Sequence, residues 1–154
     1  MLKLTKKADY GLIAMRHLAS RGHSTACSAA EIAEEYGMPQ EALAKVLQRL
    51  AKARLLASHQ GTRGGYVLAR DARSISAFEV IQAIDGPFLM TSCSVHRTDC
   101  EQSSRCTVRE PLRKVSEKLV QVLTRMKISD MLPDWSDEEL VSQPRPATEL
   151  VRLS

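Results

Sequence analysis

No stretch of about 18 consecutive apolar residues occurs in this 154-residue chain, which excludes a transmembrane helix. The N-terminal segment MLKLTKKADYGLIAMRHLAS mixes basic and apolar residues, but Asp9, Arg16 and His17 interrupt it and no small-residue cleavage site follows. A secretory signal is therefore not expected. The expected location is cytoplasmic, a reducing compartment where loop cysteines serve metals or redox chemistry more often than disulfides. No membrane partner is expected. The chain also lacks a glycine-rich phosphate loop, a nucleophile elbow and any paired catalytic motif, so it does not read as an enzyme. Cys93 with His96 is the nearest approach to a thiol–imidazole pair, and two such residues in a polar loop are weak grounds for catalysis. Aromatic residues make up only 4% and no internal repeat is visible. The length and the 44% hydrophobic content suit one ordinary globular domain, or one domain with an extension.

Charge is present and unevenly spread. The net charge is +4, yet residues 1–70 carry 11 Lys/Arg against 5 Asp/Glu, while residues 128–154 carry 2 against 6. A basic front half suggests a polyanionic partner, although on charge alone a merely solvated surface is the better reading. The residue pattern has to decide. Tyr10, Ile13, Ala14, His17 and Leu18 repeat at helical spacing and predict a helix over 5–20. Ser28 and Glu31 form a capping box that opens a short second helix, and Gly37 suits its left-handed stop. Pro39 opens a third helix, PQEALAKVLQRLAKAR, with Leu43, Val46, Leu47 and Leu50 on one face. Two short helices around a tight turn make a helix-turn-helix. Two short strands follow, over 55–59 and 66–69, joined by a glycine-rich loop, and such a hairpin makes a wing.

A further helix begins at Ser76, where Ser76 and Glu79 form a second possible capping box. Thr107 and Glu110 form a third, opening a long helix to about Lys127. Leu112, Val115, Leu119, Val122 and Met126 alternate three and four residues apart along it. Such a stripe on a late helix is most often intrachain core, but the preceding domain has its own core, which favours pairing with a second copy. The expected fold is mainly α: a winged helix-turn-helix with a small β-hairpin wing and a long C-terminal dimerisation helix. Its expected divisions are 1–85 (DNA-binding unit), 86–106 (cysteine loop), 107–132 (dimerisation helix) and 133–154 (acidic tail).

The third helix is the expected recognition helix, with double-stranded DNA as the partner. Pro39 stands at its start, and Gln40, Glu41, Ala42, Lys45 and Arg49 lie off its apolar face. Lys45 and Arg49 suit phosphate or guanine, Gln40 suits adenine, and Glu41 can accept from a cytosine amino group. Thr62 and Arg63 sit at the wing tip, where an arginine can enter a minor groove or hold phosphate. Ser28 and the second helix's N-terminus could hold a phosphate through backbone N–H groups. A winged unit of this size is expected to act as a homodimer on a pseudo-palindromic operator.

The segment CSVHRTDCEQSSRC, residues 93–106, holds three of the four cysteines in a C-x6-C-x5-C pattern and almost nothing apolar. A disulfide would leave one thiol over. Zinc usually takes short C-x2–4-C pairs and four ligands. An iron–sulfur cluster uses thiolates across wider gaps and accepts a non-cysteine ligand, and its binding would order a loop that burial cannot. Cys27, outside the triad, reads as structural.

LTKKADYGL, the helix-turn-helix, GTRGGY in the wing, IDG before the loop and the three cysteines together resemble the Rrf family of winged-helix regulators. LMTSCSVHRTDCEQSSRCTVREPL, with ISDML after the long helix, is most similar to the subgroup that regulates the SUF iron–sulfur assembly system. The resemblance covers about residues 1–132. It implies a homodimeric transcription factor, usually a repressor, holding a 2Fe–2S or 4Fe–4S cluster through Cys93, Cys100 and Cys106. Members differ in the fourth ligand. Where some have a histidine three residues beyond the last cysteine, this chain has Arg109, which cannot serve. Where others use an aspartate near the N-terminus of the partner subunit, Asp9 matches, with His96, Asp99 and Glu101 as local alternatives. At a recognition-helix glutamate that selects operators in the family stands Ala44, so operator choice does not carry over.

Overall fold

The computed structural model describes residues 3–88 and 104–133. Helix α1 spans Lys6–Arg21. Thr5 caps it: its hydroxyl accepts from the Ala8 N–H at 3.1 Å and donates to the Asp85 carboxylate at 2.7 Å. One side chain thus starts the first helix and ties it to the end of a helix 80 residues later. Helix α2, Ala29–Tyr36, has the expected capping box. The Glu31 N–H donates to the Ser28 hydroxyl at 3.2 Å, and the Ser28 N–H donates to the Glu31 carboxylate at 2.6 Å. Gly37, at φ 64° and ψ 37°, ends α2 in the left-handed conformation that only glycine adopts without strain.

Helix α3 spans Gln40–Lys52, one residue later than expected, with Pro39 as its N-cap and not its first residue. Leu43, Val46, Leu47 and Leu50 are all buried to within 1% exposure, so its whole apolar stripe faces inward. The wing is β1 (Leu56–His59) paired antiparallel with β2 (Gly65–Leu68), in a register that sets Leu56 opposite Leu68 and His59 opposite Gly65. Cys27 adds a bridge to the far side of β2. Its N–H donates to the Tyr66 carbonyl at 3.1 Å, and the Tyr66 N–H returns to the Cys27 carbonyl at 2.8 Å. Residue 65 must be glycine for this: a Cβ there would lie 2.4 Å from the Cys27 carbonyl carbon.

Helix α4, Ala77–Asp85, carries the second capping box, Ser76 with Glu79. Burial pushes the Glu79 carboxyl up, but the Ser76 N–H and the Arg70 guanidinium together hold it below its usual range. The third capping box expected at Thr107–Glu110 does not form. Helix α5 runs from Arg109 to Arg125 behind Val108, with no side-chain cap. The Glu110 carboxylate turns forward to Arg113, which also pairs with Glu117. A charged partner three residues on outcompetes the backward reach to an N–H.

The core is aliphatic: Met15, Leu18, Ile32, Leu43, Leu47, Leu50, Ile75 and Ile128 are its largest fully buried apolar residues. Ile128 belongs to a segment that returns after α5, which the heptad-like spacing did not indicate. The Ala77 N–H donates to the Met126 carbonyl at 2.8 Å, and the Ile128 N–H donates to the Ile75 carbonyl at 2.9 Å. Arg16 Nε donates to the Met131 carbonyl at 2.7 Å, at the end of the 3-10 turn Ile128–Met131. No residue of α5 itself is buried, and Val115 and Val122 are 44% and 45% exposed.

Candidate nucleic-acid interface and cysteine loop

An amphipathic helix with four core residues on one side must show the rest to solvent, and α3 does. Pro39, Gln40, Glu41 and Lys45 are exposed, and Ala42 and Ala44 are half-buried. Gln48 is exposed as well. It lies seven residues after Glu41 and three after Lys45, on the same strip. The sequence reading passed over it, although that spacing was the available signal. Thr62 and Arg63 are exposed at the wing tip, between β1 and β2.

Two residues assigned to DNA from the sequence are engaged with the protein itself. Arg49 is exposed, but its guanidinium donates to the Ile84 carbonyl in the last turn of α4 at 2.7 Å. A helix C-terminus leaves carbonyls unpaired and favours a cation, so α4 draws this arginine across. Ser28 spends its hydroxyl and its N–H on Glu31, whose carboxylate is held below its usual range first by the Ser28 N–H and then by its hydroxyl. The N-terminus of α2 is therefore closed by the chain's own anion, and a phosphate there would meet a carboxylate.

Cys93, Cys100, His96, Asp99 and Glu101 lie outside the described residues. Cys106 is described. It is half-buried, forms no disulfide, and stands two residues before the N-cap of α5. Among the described residues no three His, Cys, Asp or Glu side chains gather as a metal site. Asp9 is half-buried in the first turn of α1. The Thr5–Asp85 hydrogen bond brings that end of α1 to the end of α4, where the chain departs toward the cysteines. Cys27 is 6% exposed, with its backbone paired to the wing. Burial and then Glu31 push its thiol up, which suits a structural residue and not a reactive one. Among the described residues no helix is long and apolar enough to cross a membrane.

A helix-turn-helix with a solvent-facing third helix, followed by a β-hairpin wing, is the architecture of winged-helix DNA-binding proteins. The chain belongs to the Rrf2 family, described as an iron-dependent transcriptional regulator, whose model matches residues 4–134. It is 32% identical over 133 residues to the HTH-type transcriptional regulator IscR of Vibrio campbellii, covering 86% of this chain and 79% of that protein. Among solved structures, CymR, the global cysteine regulator of B. subtilis, matches with a TM-score of 0.68 at 27% identity, over 85% of this chain and 96% of that one. IscR of T. potens matches with a TM-score of 0.69 at 28% identity, over 94% and 93%. The family resemblance read from the motifs is thereby confirmed. So is the reading that the chain is not an enzyme, because the family and these relatives are regulators of transcription.

Proposed function

We propose that this protein is a homodimeric repressor of iron–sulfur assembly genes, of the SUF type, that senses an iron–sulfur cluster held in the cysteine loop. The observation that carries the reading is the triad Cys93, Cys100 and Cys106 in a sequence segment almost free of apolar residues, within a chain similar to IscR. The chemistry of the donor set fits. Three thiolates bring concentrated negative charge, and Cys106 stands just ahead of the N-terminal turn of α5, whose N–H groups no side chain caps. The positive end of a helix dipole suits an anionic site.

Cys93, Cys100 and Cys106 hold the cluster in this reading, with Asp9 of the partner subunit as the fourth ligand. When bound, the cluster supplies thiolate–iron bonds that order the loop and that iron shortage or oxidation removes. The protein's own side chains carry the consequence to DNA. The loop leaves from α4, whose last turn holds Arg49 of α3 through the Ile84 carbonyl and α1 through Thr5 and Asp85. A shift of the α4 end is therefore felt by the recognition helix directly. Gln40, Glu41, Ala42, Lys45 and Gln48 face the major groove, with Pro39 setting the entry of the helix, and Thr62 and Arg63 reach from the wing. Two copies related by a two-fold axis place their recognition helices in successive major grooves only at one separation and tilt. A ligand acts by favouring that arrangement over others.

The likeness to a global cysteine regulator favours a second reading on the same scaffold, a thiol-redox or zinc-responsive repressor. Anaerobic purification separates the two. The expected result is visible absorbance with iron and acid-labile sulfide in wild type, lost together with ligand-dependent operator binding in Cys100→Ala. Colourless wild-type protein, or a Cys100→Ala variant unchanged in both properties, would overturn the cluster reading.

A further inference from the structure

Between the α1–α2 connection and the wing lies a half-open cleft of about 560 Å³. His23, Ser24 and Thr25 form one side, and His59, Thr62 and Arg63 form the other. Among the described residues no carboxylate lines it. Its side chains are mostly hydrogen-bond donors: the Arg63 guanidinium, the His59 imidazole, the hydroxyls of Ser24, Thr25 and Thr62, and the Gln60 amide, which can also accept. The walls are fixed relative to one another by the paired backbones of Cys27 and Tyr66, and His23 Nδ1 meets the Leu68 carbonyl at 3.3 Å. The Asp71 carboxylate stands within electrostatic reach of His23, but it is committed to Arg73, accepting from its N–H at 2.8 Å and its Nε at 3.2 Å.

We propose that this cleft is a phosphate-binding site, in which Arg63 and His59 of the wing and the hydroxyls of Ser24 and Thr25 hold one phosphate group. The proposal rests on the DNA-binding reading of the family and extends the interface beyond the recognition helix and wing tip. A dense set of hydroxyl, guanidinium and imidazole donors without a competing carboxylate is what a phosphate oxygen requires. Position favours a backbone phosphodiester of the bound duplex, because Thr62 and Arg63 are shared between the cleft and the wing tip. The neighbouring phosphate position at the α2 N-terminus is closed by Glu31, so the cleft takes over the anchoring that Ser28 cannot give. A free phosphate ion has the same chemistry and forms the second arm of the test.

The probe is a duplex selected by this protein from a random-sequence pool, then remade with a neutral methylphosphonate at each backbone position in turn. Wild-type protein is expected to lose about 5- to 10-fold in affinity at one or two positions flanking each half-site, the scale of one ordinary hydrogen bond in water. Ser24→Ala/Thr25→Ala and His59→Ala, all at exposed positions, are expected to bind the unmodified duplex about 5- to 10-fold more weakly and to be indifferent to those methylphosphonates. Without DNA, inorganic phosphate is titrated while the backbone amide shifts of Ser24, Thr25 and Gly61 are followed. Saturable shifts that vanish in the variants also support the site, and with no methylphosphonate effect they make free phosphate its source. Variants that bind DNA as wild type does, with no saturable shift in the free protein, overturn the proposal. Lys45→Ala is the control. If it weakens binding where the cleft variants do not, the cleft fails and the DNA interface stands; if it too changes nothing, the interface reading fails with it.

Discussion

Helices α3 and α5 both carry an apolar stripe at helical spacing, yet one chain buries only the first. Leu43, Val46, Leu47 and Leu50 of α3 are fully enclosed, whereas α5 has no buried residue and leaves Val115 and Val122 nearly half exposed. Each helix is also held near its C-terminal end by hydrogen bonds to backbone groups. Arg49 ties α3 to α4, and the returning segment around Ile128 anchors the far end of α5. The difference is in what fixes the middle. Packing against α1 and α4 sets the orientation of α3 within one subunit. The N-terminal half of α5 has the Glu110–Arg113–Glu117 ion pairs, which lie in water where salt and solvent screen them. A stripe in sequence thus says that a surface needs covering, not what covers it.

The largest expected effect tests the α3 side. Leu47→Ala leaves a cavity in an enclosed site and should cost about 2–5 kcal/mol of unfolding free energy. Urea denaturation should show that loss alike at low and high protein concentration. A loss below about 1 kcal/mol would mean that the stripe of α3 is not the core it looks to be.

Next comes the α5 side, where the proposed homodimer is at stake. Val115→Asp with Val122→Asp places charge on the exposed face of α5 and should leave the stability of the single subunit almost unchanged, because neither side chain is buried there. It should weaken self-association at least about 10-fold, by burying uncompensated charge in any two-copy seam. Sedimentation at several concentrations checks this. The denaturation midpoint of wild type should rise with concentration while that of the variant stays flat. A double variant that remains dimeric would move the interface elsewhere and undo the contrast.

Local chemistry was legible in the sequence, and tertiary chemistry was not. The Ser28–Glu31 and Ser76–Glu79 boxes, the Gly37 stop and the wing all depend on residues within a few positions of each other, and each was found within a residue or so. The Thr107–Glu110 box has the same pattern and fails, because Arg113 offers Glu110 a stronger partner than an N–H group. The burial of Ile128 arises from its pairing with Ile75, more than 50 residues away, which no local period can reveal. Arg49 lies on the polar side of α3 by spacing, and only the open carbonyl at the end of α4 turns it inward. The cleft was missed for the same reason: His23 and His59 become neighbours through the Cys27–Tyr66 pairing, not through any motif.

The smallest effect concerns a group that α5 does not possess. His17, in α1, is 3% exposed and shares its Nδ1 with the Tyr36 hydroxyl at 3.1 Å. Burial pushes its pKa below the ordinary histidine value of about 6.5, and the nearby Glu35 only partly opposes that. The unfolded chain therefore takes up a proton at a higher pH than the folded chain does. The stabilisation is whole above about pH 6.5 and is lost as the pH falls through the lower folded-state value, below which the curve levels. His17→Gln should remove this slope, so that its melting temperature changes less between neutral and mildly acidic pH than that of wild type. The loss should be independent of protein concentration, because it lies in the α1–α2 contact within one subunit. If the acid loss in wild type instead diminishes as concentration rises, the titrating group sits in the α5 seam, and the division between a self-sufficient winged unit and a helix awaiting a partner does not hold.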